Sequence, residues 1–104
     1  MSLKKLFDLA GRTALVTGGS RGLGLQIAEA LGEMGARLVL SARKADELQA
    51  ATSKLIQSGI DAHWIAADAA NPADVARLVT ESRAQVGEID ILVSNAAMPS
   101  EGIA

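Results

Sequence analysis

The sequence predicts an open α/β fold: a doubly wound parallel sheet of about four strands with three helices, ending before the strands that would complete such a sheet. Two observations carry this expectation. Apolar, strand-like runs alternate with amphipathic helical ones, and each helical stretch is long enough for a parallel crossover. A cluster of glycines also falls where the first strand meets the first helix, the point at which doubly wound sheets place a ligand loop.

The first strand is Thr13 to Thr17, TALVT, an apolar and β-branched run that stops at glycine. Leu23, Ile27, Ala28, Leu31 and Met34 then recur at helical spacing, with Gly35 as terminator, so a helix over 23–34 is predicted to pack on the sheet. Ala36 to Ser41, ARLVLS, reads as the second strand, and Leu48, Thr52 and Leu55 mark a helix over 45–58 that ends at Gly59. Asp61 to Ala67 reads as a third strand. Asn71 caps a third helix with Pro72 at its first position and Asp74 in its first turn, and its inner stripe is expected to be Val75, Leu78, Val79, Ser82 and Val86. Gly87 ends that helix, Ile89 to Ser94 forms the fourth strand, and residues 95–104 read as loop. Right-handed crossovers then give the strand order 3-2-1-4.

Composition narrows the function. The chain has 104 residues, 49% hydrophobic and 21% charged, with a formal net charge of -2, values of a single globular domain without a nucleic-acid signature. It contains no cysteine, so disulfides, thiolate zinc sites and cysteine nucleophiles are excluded, and a cytoplasmic location is expected. Lys4 and Lys5 precede no apolar stretch of useful length, and nothing approaches the roughly 20 apolar residues that span a bilayer. One histidine and scattered carboxylates offer no convergent metal ligands.

The glycine cluster is the strongest signal. Thr17 to Gly24 reads TGGSRGLG. Gly18 can make the tight turn, Gly22 admits a close backbone approach to a pyrophosphate, and Gly24 lets helix and strand pack closely. Ser20, Arg21 and Leu23 complete the candidate loop contacts. A triphosphate-binding loop is excluded, because no lysine follows Gly22 or Gly24.

The pattern T-G-x-x-x-G-x-G after the first strand resembles the classical short-chain dehydrogenase/reductase family, with its Rossmann-like fold. Asp68 after the third strand and SNAA from Ser94 to Ala97 after the fourth match two further landmarks of that family. The resemblance implies that Asp68 accepts a hydrogen bond from adenine, and that Asn95 and Ala96 steady the sheet beside the adenosine ribose. Asp68 also fits an ordinary turn residue ahead of a helix, and Asn95 an ordinary turn former. The family usually has Asn at Ser94 and Gly at Ala97, and a positive φ there would strain Ala97.

NADP is the expected cofactor, with NAD the lesser alternative. NAD sites commonly carry an acidic residue about 20 positions beyond the glycine loop, to hold the ribose hydroxyls. Here that stretch reads LSARK, with Ala42 where NAD-type members of the family place Asp and with Arg43 and Lys44 following. Arg21 adds a second cation, and guanidinium suits phosphate through paired donors. The same cations also fit a solvated surface.

The family's catalytic tyrosine and the lysine four residues later are missing, since the chain contains no tyrosine. His63, the only histidine, reads as a packed or edge side chain in the third strand. Three readings stand: part of an NADP-dependent alcohol or ketone oxidoreductase that is a homo-oligomer when complete, a non-catalytic NADP-binding or partner-dependent module, and a nonfunctional piece. In each, the fourth strand should expose its outer edge.

Overall fold

The computed structural model describes residues 8–95, and alternation in the sequence becomes alternation in space. The elements are β1 (Thr13–Thr17), α1 (Gly22–Glu33), β2 (Arg37–Ala42), α2 (Ala45–Gln57), β3 (Ala62–Ala66), α3 (Pro72–Val86) and β4 (Ile91–Ser94). They form one parallel sheet in the order β3-β2-β1-β4, as predicted. Element ends fall within two residues of the expected ones. The largest difference is at β4, which begins at Ile91 rather than Ile89. Asp90 explains it: its carboxylate accepts the Thr13 N–H at 2.9 Å, so a side chain serves β1 where a strand carbonyl would otherwise do so.

The period of two sorts β1 and β2 onto two cores. Ala14, Val16, Leu38 and Leu40 face one side, where Ala28 of α1 and Leu48, Ala51 and Leu55 of α2 cover them. Leu15, Val39 and Ile65 face the other, against Leu78 and Val86 of α3. Leu38, Leu40 and Leu48 are fully buried, and each such side chain contributes about 1.5–3 kcal/mol relative to an exposed one.

Helix α2 buries Leu48, Thr52 and Leu55 as expected, together with Ala51, whereas α1 and α3 bury a narrower stripe than their apolar residues suggest. In α3 the buried positions Leu78, Ser82 and Val86 step by four, while Val75 and Val79 are 39% and 40% exposed, correcting the expected five-residue stripe. In α1 the buried positions are Gly24 and Ala28, which turns Leu23 and Met34 outward. Helix ends follow the expected chemistry. Asn71 Oδ1 accepts from the N–H groups of Ala73 and Asp74, and a glycine of positive φ follows each helix.

Ser82 is fully buried, and its hydroxyl has no hydrogen-bond partner among the described residues. An unpaired buried hydroxyl costs folding energy, and alanine is also the better helix former. Ser82→Ala should therefore raise the unfolding free energy by about 1 kcal/mol in urea titration. A loss of stability would show that the hydroxyl is bonded in solution.

The edge of β4 is open, as expected. Leu92 is 67% exposed, and β4 pairs only with β1 among the described strands. No described helix is long and apolar enough to cross a membrane.

Candidate functional site

All four strands end on one edge of the sheet, at Thr17, Ala42, Ala66 and Ser94, and the chain order reverses between β1 and β4. Crevices at such a reversal are where parallel α/β sheets hold ligands. Here the TGGSRGLG segment leaves β1. Gly18 and Gly19 both donate to the Ser41 carbonyl, at 2.7 and 3.2 Å, which ties the loop to the end of β2.

Gly18 and Gly22 have φ of +68° and +59°, so two of the three expected glycines turn the chain through left-handed backbone. Gly24 acts by its size. A Cβ built on it would overlap the Gly18 carbonyl and lie 2.8 Å from Asn95 Nδ2. Helix, loop and the residue after β4 therefore converge on one point that only glycine fits. Asn95 is held there by its own backbone, whose N–H donates to the carbonyl and hydroxyl oxygens of Thr17 at 3.1 and 3.2 Å.

The start of α1 differs electrically from those of its neighbours. Arg21 caps it without a side-chain hydrogen bond, and its first turn holds no acidic residue. By contrast, α2 opens with Asp46 and Glu47, and α3 with Asn71 and Asp74. A helix start concentrates unpaired N–H groups and partial positive charge, and at α1 the chain supplies no anion of its own in the first turn.

The structure thus brings together Gly18, Gly22, Gly24 and Asn95, with Ser20, Arg21 and Leu23 on the same loop and helix start. Leu23 is 62% exposed there. Arg43, just past β2, is exposed and pairs with no carboxylate among the described residues. Asp68 lies beyond β3 and serves its own turn: Oδ1 accepts the Ala70 N–H at 2.9 Å, and its backbone N–H donates to Asp74 Oδ2 at 2.8 Å. The local reading of Asp68 is therefore realised here alongside any role toward a ligand. Ala96 and Ala97 lie outside the described residues.

One residue at the site was not anticipated. Glu47, in the first turn of α2, accepts the Ser20 hydroxyl at 3.3 Å and stands 3.6 Å from Lys44 Nζ and 4.0 Å from Arg21 Nε. Only the Lys44–Glu47 spacing of three is visible in the sequence; the contacts to Ser20 and Arg21 join residues 27 and 26 apart and depend on the fold. Glu47 also lines a shallow cavity of about 280 Å³ with Ser20, Arg21, Leu25 and Lys54. His63 sits on the edge strand β3, bonded to Asp61 at 2.9 Å, in the edge position expected of it. Among the described residues no three His, Asp or Glu side chains cluster to hold a metal.

A glycine loop opening an uncapped helix at a sheet's reversal point defines a dinucleotide-binding α/β protein. Residues 12–104 match the family model described as short chain dehydrogenase, and the chain belongs to that family as its N-terminal, cofactor-binding part. It is 40% identical over 98 residues to gluconate 5-dehydrogenase of Gluconobacter oxydans, which covers 94% of this chain and 38% of the relative. Among solved structures, the L-sorbose reductase of Gluconobacter frateurii complexed with NADPH and L-sorbose superposes with a TM-score of 0.85 at 39% identity, over 88% of this chain and 35% of that one. A 3-oxoacyl (acyl-carrier-protein) reductase from Agrobacterium tumefaciens C58 with NADP bound gives a TM-score of 0.86 at 40% identity, over 94% of this chain and 38% of that one. The chain spans about a third of the length of the curated relatives it matches.

Proposed function

We propose that this chain binds NADP(H) and serves as the cofactor half of an oxidoreductase that moves a hydride between the nicotinamide and an alcohol or carbonyl carbon. The observation that carries the reading is the start of α1, an uncapped, acid-free helix terminus wrapped in a glycine loop that Gly24 and Asn95 hold closed. The pyrophosphate is assigned to the N–H groups of that terminus, and the adenosine ribose to the ends of β1 and β2. The cofactor supplies the hydride chemistry. The chain's own residues bind and orient it. With no tyrosine in the sequence, the family's proton-transferring tyrosine is not among these 104 residues.

The preference for NADP rests on charge. Ala42 offers no carboxylate to ribose hydroxyls, and Arg43 stands exposed one residue beyond β2, with Arg21 on the loop. The NADPH and NADP named with the sorbose and 3-oxoacyl reductases support the same choice.

Calorimetric titration should show NADPH binding about tenfold or more tighter than NADH, as one or two charge-assisted contacts imply. Arg43→Asp should erase or invert that ratio while leaving the unfolding midpoint nearly unchanged, because Arg43 is a surface residue. Equal affinities in the unmodified protein would sink the cofactor assignment.

A further inference from the structure

The cations beside the loop have an anionic partner within the chain. Glu47, with its side chain 30% exposed, accepts the Ser20 hydroxyl and forms longer ion pairs with the Lys44 ammonium at 3.6 Å and the Arg21 guanidinium at 4.0 Å. We propose that Glu47 is a specificity-determining residue, an internal anion beside Ser20, Arg21 and Lys44 that competes with a ribose 2′-phosphate and so restrains the protein's preference for NADP over NAD. This inference rests on the cofactor reading given above.

Two anions compete for the same groups. A 2′-phosphate drawn to Arg21 and Ser20 competes with the Glu47 carboxylate for the Ser20 hydroxyl and for the field of Arg21, and the carboxylate close to it repels it. A 2′-hydroxyl meets the opposite situation, since it can donate to a carboxylate without removing it from its cations. The same side chain therefore disfavours one nucleotide and tolerates the other. The chain has no carboxylate at Ala42, the usual acidic position, but the fold brings one to the loop from the next helix.

Glu47→Gln keeps the size of the side chain and its ability to accept from Ser20, and it removes the charge. With the full chain, and with NADPH and NADH as the probes, the ratio of NADPH to NADH affinity should rise about three- to tenfold, the range expected when partly exposed ion pairs are released. Glu47→Ala should move the ratio in the same direction, and thermal unfolding of each variant separates effects on the site from effects on the fold. A purely structural role for Glu47 would weaken both nucleotides in parallel. A ratio unchanged or lowered in the variants therefore overturns the proposal, whichever nucleotide the unmodified protein prefers. The cofactor reading stands or falls separately, on the unmodified protein's own two affinities.

Discussion

Gly24→Ala is expected to weaken NADPH binding by about two orders of magnitude, as the loss of two charge-assisted contacts implies, and to lower stability as well. The new methyl group would enter the space of the Gly18 carbonyl, a backbone atom that cannot rotate aside as a side chain can. Relief requires the loop to lift away from α1, and the N–H groups assigned to the pyrophosphate move with it. Overpacking of this kind costs about 1–3 kcal/mol, against which the helix propensity of alanine returns only about 1. Gly22→Ala is the informative control. A Cβ on Gly22 meets no protein atom within 4 Å, so its cost to folding is confined to the left-handed backbone at φ +59° and is about 1–2 kcal/mol, and any further loss of NADPH binding comes from the methyl crowding the pyrophosphate. Titration of NADPH into both variants, with urea unfolding alongside, tests the difference. If Gly24→Ala binds NADPH as tightly as the unmodified protein, close packing at Gly24 does not shape the site.

That contrast bears on how much of the site could be read before the fold was known. The glycines of TGGSRGLG announce a special backbone, but which of them serves conformation and which serves packing depends on what lies opposite. For Gly24 the opposing groups are Gly18 and Asn95, the second 71 positions away in sequence and supplied by the end of β4. Local chemistry was legible for the same reason that it is local. Asn71 starts a helix by accepting from the N–H groups of Ala73 and Asp74, with Pro72 at the first helical position, and TALVT needs only its own pattern to be a buried strand. Features set by tertiary neighbours were not. Val75 and Val79 belong to the apolar period of α3, yet the sheet beneath accepts only the Leu78, Ser82, Val86 row. Asp90 looks like an interruption of a strand and proves to be a strand's hydrogen-bond acceptor. Glu47 looks like an ordinary acidic residue in a helix's first turn, and it reaches a loop on the far side of β2.

Leu40→Ala should cost about 2–5 kcal/mol of unfolding free energy, the range for a fully buried leucine cut back to alanine. Leu40 lies in β2 with none of its surface exposed, flanked by β1 and β3. For a domain whose total stability is typically about 5–15 kcal/mol, that is a large fraction. Its position also couples core and site, since a Cβ built on Gly19 would lie 3.2 Å from Leu40 Cδ2. The leucine methyl thus forms the floor on which the glycine loop rests. Removing it leaves a cavity under the loop, so the variant should bind NADPH more weakly as well as unfold more easily. Leu40→Met, which preserves volume, should cost less than about 1.5 kcal/mol and spare binding. Because a nucleotide binds only the folded chain, NADPH at 100 times its dissociation constant should return about 2.7 kcal/mol of stability to any variant whose loop survives. The recovery should be equally large in the methionine variant and the unmodified protein, at equal multiples of their own dissociation constants. At one fixed NADPH concentration it should be smaller in the alanine variant, by the amount its binding has weakened. Equal recovery at fixed concentration in all three would show that the loop does not depend on the core beneath it.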